Sequence, residues 1–160
     1  MDEFELIRQY FAPLSHGFEG GLGLMDDAAI LPSKLGSDFV VTKDALSEGI
    51  HFLGNEPAHL LAQKALRVNL SDLAAMGAEP VAYFLAIMLP KKVDAQWVSD
   101  FARGLNEDQE RFSIYLAGGD TIATKGPLSF SITAVAFFFQ YECFQSFAGR
   151  TGSSWSVRMM

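Results

Sequence analysis

PAHLLAQKALRVNLSDLAAMGAEPVAYFLAIML, residues 57–89, changes its period halfway along. From Pro57 to Gly77, His59, Leu60, Ala62, Ala65, Leu66, Asn69, Leu70 and Leu73 recur at the three- and four-residue spacings of a helix with one mostly apolar, small-residue stripe. Pro80 closes that element, and VAYFLAIML is a strand too apolar for an exposed sheet. Downstream, DAQWVSDFARGLNEDQERF is an amphipathic helix with Trp97, Phe101 and Leu105 at spacing four. SIYLAGGD reads as a strand running into a turn, and LSFSITAVAF alternates Leu128, Phe130 and Ile132 with small or polar residues. Upstream, AAIL and DFVVTKDAL read as two short strands with Gly36 and Ser37 in the turn between them. Before a glycine-rich loop, Gly17 to Gly23, the residues Phe4, Ile7, Tyr10 and Phe11 share a helical face that Pro13 stops. The order α-ββ-α-β-α-β-β predicts an α+β domain with a mixed sheet packed with helices.

The chain is long enough for one domain with its own core: 160 residues, 49% hydrophobic and 19% charged. A net charge of −7 argues against a broad basic face, and so against nucleic acid or an anionic membrane as partner. It does not argue against a nucleotide, because bound cations reverse the sign locally. Cys143 is the single cysteine, so no intrachain disulfide is possible, which suits a reducing cytoplasm. The start, MDEFELIRQYF, is acidic and amphipathic, unlike a signal peptide, and no apolar run is long enough to span a bilayer.

Five aspartates sit where apolar runs end or small-residue loops begin: Asp26 and Asp27 in MDDAAIL, Asp44 in VVTKDAL, Asp72 in NLSDLAAMGA and Asp120 in LAGGDT. Carboxylates gathered at such places repel one another unless a cation lies between them, and Mg²⁺ takes oxygen ligands of this kind. Each site also has an ordinary structural role. Asp26 fits a polar turn, and Ser71 or Asp72 fits the cap of a new helix. Asp44 fits a solvated strand end, although Thr42 shares its parity and faces the same way. Gly118-Gly119-Asp120 fits a plain turn, although glycines there let backbone N–H groups face a phosphate. Neither GxxxxGK[ST] nor GxGxxG occurs. His51 fits either a substrate contact or an exposed side chain.

Taken together, MDDAAIL, TKDALSEGIHF, KALRVNLSDLAAMGAEP and LAGGDT closely resemble the N-terminal half of the thiamine-monophosphate kinase family, from about Phe4 to Ala136. That family is grouped with aminoimidazole-ribonucleotide synthetase and selenophosphate synthetase, which share an ATP-binding N-terminal domain. The resemblance implies transfer of the γ-phosphoryl of ATP to thiamine monophosphate, several Mg²⁺ ions, and a homodimer whose sheets pair across a two-fold axis. It implies Asp27, Thr42, Asp44, Asp72 and Asp120 as metal ligands, with Lys43 offering at most its carbonyl. Gly119 and Asp120 are implied as ATP contacts, and His51 as the substrate contact. Related enzymes with another acceptor, and a non-catalytic dimerisation or nucleotide-binding fragment, are the alternatives.

Two departures stand out. The family writes Gly-x-Gly-Asp-Asp where this chain has Gly23-Leu24-Met25-Asp26-Asp27, so Met25 replaces a glycine. If that position needs positive φ or close phosphate approach, Met25 costs on the order of 1 kcal/mol or more. After residue 136 the family continues with an arginine that contacts ATP and a second domain, whereas residues 137–160 carry irregular aromatics. The expectation is therefore a metal- and nucleotide-binding domain over 1–136, an atypical tail over 137–160, and no C-terminal domain. Read one base later, Ser146 to Ser153 permits Arg-Ser-Arg-Ala-Glu-Pro-Gly, so a one-base slip near Phe137–Gln140 is the proposed origin of the tail.

Overall fold

A computed structural model describes residues 3–26 and 28–139. Four strands form one sheet: β1 (Ser37–Ser47), β2 (Glu79–Pro90), β3 (Tyr115–Thr124) and β4 (Ser129–Phe139), in the spatial order β1-β4-β2-β3. β4 runs antiparallel to both β1 and β2, while β2 and β3 are parallel. Parallel strands need a long crossover, and the two long helices provide it: α2 (Ala58–Ala75) between β1 and β2, and α3 (Ala95–Phe112) between β2 and β3. The expected α+β domain with a mixed sheet is what forms.

Registered partners point to the same side of a sheet. Thr42, Ala134, Tyr83 and Leu116 therefore share one face, as do Leu46, Phe130, Ile87 and Thr121. The helices lie on this face. Phe101 of α3 packs on Phe130 with ring centroids 5.5 Å apart, and the α2 stripe Leu61, Ala62, Ala65, Leu66 and Leu73 is fully buried. Leu60, placed in that stripe by the sequence, is half exposed because it sits just off its centre. The opposite face carries Phe39, Val41 and Ile122, all exposed apolar side chains, with Lys43 donating to Thr133 Oγ1 between them. Between β2 and β3 the register slips at Tyr83/Phe84, so Leu116 pairs with Tyr83 but Gly118 with Phe84.

Three expectations change. AAIL makes no ladder: the Ile30 N–H goes to the Gly20 carbonyl at 2.7 Å, inside the glycine-rich loop, and Ile30 stays exposed. Gly118–Asp120 is not a turn but the middle of β3, paired with Phe84–Ala86. Pro13 does not end the first helix outright. A short helix α1 (Glu3–Leu6) widens over Ile7–Phe11 and then tightens over Ala12–Ser15, burying Phe11 and Leu14 and leaving Phe4 exposed. β4 runs through to Phe139. The rest of the tail, with Cys143 and the frame-slip expectation, lies outside the described residues.

Helix α3 starts at Asp94, whose carboxylate accepts the Trp97 N–H at 2.8 Å, a sound N-cap. It crosses α2 at Gly104, where a Cβ would lie 2.3 Å from the His59 carbonyl oxygen. Alanine is the better helix former by about 1 kcal/mol, yet Gly104→Ala must push two backbones apart. Its expected effect is a net loss of about 1–3 kcal/mol, read as a lower midpoint in urea and thermal unfolding.

Candidate functional site

At the β1 edge, Thr42 points to the helix side of the sheet and Asp72 rises from the last full turn of α2 to meet it. The Thr42 hydroxyl donates to Asp72 Oδ2 at 3.0 Å. Helix α2 is continuous through Ser71 and Asp72, so Asp72 is not a cap. Asp44 shares the face of Thr42 through strand parity. Asn69, one turn before Asp72, is fully buried and donates from Nδ2 to the Ala65 carbonyl, while Asp72 is exposed.

At the β3 edge, Asp120 pairs in register with Ala86 and so points to the face opposite the helices. Asp120 and Asp26 line one cleft of about 460 Å³, walled by Ile7, Phe11 and Leu24 on one side and by β3 on the other. Of the acidic pair, Asp26 lines this cleft, and Asp27 lies outside the described residues. Adjacent aspartates in a sequence give no sign of which one faces a cleft. Gly119 is required by the sheet itself, since a Cβ there would sit 1.9 Å from the Leu85 carbonyl oxygen. Met25 has φ −109° and is exposed, so the backbone there does not need positive φ. The left-handed positions are Leu22, Gly23 and Leu24, at φ 50°, 67° and 58°. The two leucines cost about 1–2 kcal/mol each in that conformation.

Among the described residues, one chain does not bring Thr42, Asp44, Asp72 and Asp120 into a single cage. Thr42, Asp44 and Asp72 stand at one edge on the helix side, and Asp120 stands three strands away on the other side. That is roughly 14 Å of sheet. Among the described residues no group of three His, Cys, Asp or Glu side chains is placed to hold a metal ion. The donors at both edges are hard oxygens, the kind Mg²⁺ takes. They suit the ion as two half-sets, and each set is incomplete alone.

His51 lies at the end of β1, in a turn where the Ser47 carbonyl accepts both the Ile50 and His51 N–H groups. Its Nδ1 accepts the Ser47 N–H at 3.1 Å, which leaves Nε2 as the ring's donor, and His51 is exposed. Lys64 donates to the His51 carbonyl. Sequence reading gave no role to Glu48, yet it braces this turn. It accepts from Lys92 Nζ and from the Leu128 N–H, and its side chain fills the space beside Gly54, where φ is 90°. No spacing rule connects residues 48, 92 and 128, so only the fold reveals the cluster.

The Lys92 hydrogen bond, then the Leu128 N–H, hold the Glu48 carboxyl below its ordinary pKa. A carboxyl depressed in the folded state contributes stability above its unfolded pKa, and loses it as pH falls through the lower, folded one. Glu48→Gln is therefore expected to lower the melting temperature at neutral pH. The gap to the unmodified protein should close on acidification through and beneath the ordinary carboxylate range, as followed by circular dichroism at a series of pH values.

The profile described as AIR synthase related protein, N-terminal domain, matches residues 25–138. The thiamine-monophosphate kinase of Caulobacter vibrioides is 49% identical over 140 residues, 88% of this chain and 40% of the relative. Among solved structures, the thiamine-monophosphate kinase of Stenotrophomonas maltophilia K279a is 37% identical with a TM-score of 0.71, over 82% of this chain and 43% of that one. The ThiL protein of Aquifex aeolicus complexed with AMPPCP and TMP is 26% identical with a TM-score of 0.62, over 84% of this chain and 41% of that one. This chain thus spans about 40% of the length of the curated relatives it matches. With the fold and the matched residues agreeing, the chain belongs to the AIR synthase related protein family, by its N-terminal domain.

Proposed function

We propose that this chain is the magnesium- and ATP-binding part of an enzyme that phosphorylates thiamine monophosphate to thiamine diphosphate with ATP. The observation that carries the reading is the Thr42–Asp72 pair, which joins the two most specific sequence motifs in space through two oxygens 3.0 Å apart. The naming of its relatives as thiamine-monophosphate kinases, and the binding of AMPPCP and TMP by one of them, supports the choice of substrates. Residues 1–136 are the metal- and nucleotide-binding unit on this reading, with Asp27 a further ligand beside Asp26. Such an enzyme belongs in the cytoplasm, in keeping with the lack, among the described residues, of any helix long and apolar enough to cross a membrane.

Phosphoryl transfer asks little covalent chemistry of a protein; it needs alignment and neutralised charge. Magnesium, when bound, supplies that neutralisation at the phosphate oxygens. The residues hold it and orient the reactants: Thr42, Asp44 and Asp72 from the β1 edge, Asp120 and the backbone at Gly119 from the β3 edge. His51, fixed by Ser47, presents its Nε2 proton to an acceptor atom of the substrate. The acceptor is already a phosphate, so no strong base is required.

Two half-sets on opposite edges call for a second copy. We propose a homodimer in which the faces bearing Phe39, Val41 and Ile122 pack together, bringing Asp120 of one protomer toward the β1 edge of its partner. Burying such a face follows from its exposed apolar area.

Titration calorimetry is expected to show ATP uptake that depends on Mg²⁺. Asp72→Asn and Asp120→Asn should each weaken it by about tenfold or more, the loss of a charged ligand to a bound cation. Mixing these two variants after unfolding and refolding them together should restore part of the uptake, since mixed dimers carry one intact pair of edges. No uptake with the unmodified chain would sink the reading, and no recovery on mixing would sink the shared site. An ADP-release assay with thiamine monophosphate separates a working kinase from a fragment that only binds nucleotide.

A further inference from the structure

We infer that Gln109 is a positioning residue, whose single amide sets the separation of the two walls of the Asp26–Asp120 cleft. One wall is the segment from Ile7 to Asp26, which pairs with no strand of the sheet. Its turns are held internally, Phe18 N–H to the Ser15 carbonyl and Gly21 N–H to the Phe18 carbonyl, both at 3.0 Å. The other wall is β3. Gln109, on α3 and 4% exposed, reaches both. Its Nε2 donates to the Leu14 carbonyl of the segment at 2.9 Å, and its Oε1 accepts the Leu116 N–H of β3 at 3.2 Å. Tyr83 of β2 donates its hydroxyl to the same Oε1 at 2.9 Å.

The amide orientation follows from its partners. A backbone carbonyl only accepts and a backbone N–H only donates, so Nε2 must face Leu14 and Oε1 must face Leu116. The Tyr83 hydroxyl then has to donate, and burial pushes its phenol well above the ordinary range, so it keeps the proton. Every polar atom of the Gln109 side chain is engaged in the interior, where a loosened partner finds no water. Neighbouring Asp108 holds Arg67 of α2 in a two-bond pair, which fixes this turn of α3 against α2. The reach between Leu14 and Leu116 is therefore the width of one amide on a fixed helix. Close contacts above it leave no slack: Gly17 lies against the Tyr115 ring, and Gly21 lies over the Ser15 hydroxyl.

The test uses the full chain and two variants. Gln109→Met keeps the bulk and removes all three bonds. Tyr83→Phe removes only the phenol, leaving the bridge between the walls. Hydrogen exchange of the Phe18 and Gly21 amides should accelerate on the order of tenfold in Gln109→Met, the effect of leaving buried groups unpaired, with Ile132 and Ala134 in β4 unchanged. Tyr83→Phe should leave the Phe18 and Gly21 amides as they were. No acceleration at Phe18 and Gly21, an equal acceleration in β4, or an equal loosening by Tyr83→Phe overturns the assignment. Should Gln109→Met not fold, Gln109→Glu replaces it: the carboxylate keeps an acceptor for the Leu116 N–H and loses the donor to the Leu14 carbonyl, so faster exchange at Phe18 and Gly21 with β4 unchanged is expected, and no acceleration there overturns the assignment.

The consequence for nucleotide rests on the proposed function, and it is read separately. Calorimetric affinity for Mg-ATP should fall on the order of tenfold in Gln109→Met and stay level in Tyr83→Phe. A loosened segment with unchanged affinity overturns the link between Gln109 and the site. If the unmodified chain takes up no nucleotide, the proposed function fails, and the exchange data still judge the hold of Gln109 on the segment.

Discussion

β4 lies between β1 and β2, and most of the molecule follows from that insertion. Because β4 is antiparallel to both neighbours, β1 and β2 run the same way without touching. Only a long crossover joins two such strands, and α2 is that crossover. Its C-terminal turn is thereby delivered to the β1 edge, where Asp72 meets Thr42. The same insertion drives β1 and β3 to opposite edges. Aspartates that look like one cluster along the sequence become two groups separated by the width of the sheet.

The two helices share a single layer, so their mutual packing sets how well that layer fits the sheet. Gly104 lets the backbones approach, and Trp97 stacks on Phe101, which in turn meets Phe130. The Arg67–Asp108 pair is unequally placed: Asp108 is buried and Arg67 is nearly half exposed. Its hydrogen bonds to Asp108 raise the Arg67 pKa further, so the guanidinium stays charged. Removing Arg67 would strand a carboxylate in the interior, which is the costly direction for such a pair. The ion pair thus acts as a fixed point for α3, from which Gln109 reaches out.

Long periodic elements were legible in the sequence. The α2 stripe, the apolar run of β2 and the alternation of β4 each hold a pattern long enough to exclude the other reading. Short elements were not. AAIL has strand-like residues, but nothing local shows that the Ile30 N–H will be taken by Gly20. The glycines at 118 and 119 look like a turn because local rules treat glycine as a breaker. Here Gly119 is imposed by a neighbour, the Leu85 carbonyl, and that neighbour is remote in sequence. Within the site, strand parity placed Thr42 and Asp44 on one face, whereas their meeting with Asp72 was implied only by the family resemblance. The edge-to-edge separation of Asp120 was not legible, because it depends on strand order. Gln109 and Glu48 were hidden for the same reason: their partners lie up to 95 positions away.

The irregularity between Tyr83 and Phe84 has a bearing on Asp120. Leu116 and Gly118 have equal parity, yet they face opposite ways because Ala117 is an extra residue in the ladder. In an unbroken ladder, residue 120 would stand beside Ile87 and project beneath the helices, a charge lodged in oil. The single inserted alanine rotates the rest of the strand by half a turn, and the carboxylate emerges on the outward side. A one-residue count error, invisible in composition, thus chooses between a misplaced buried charge and an acid available to a ligand.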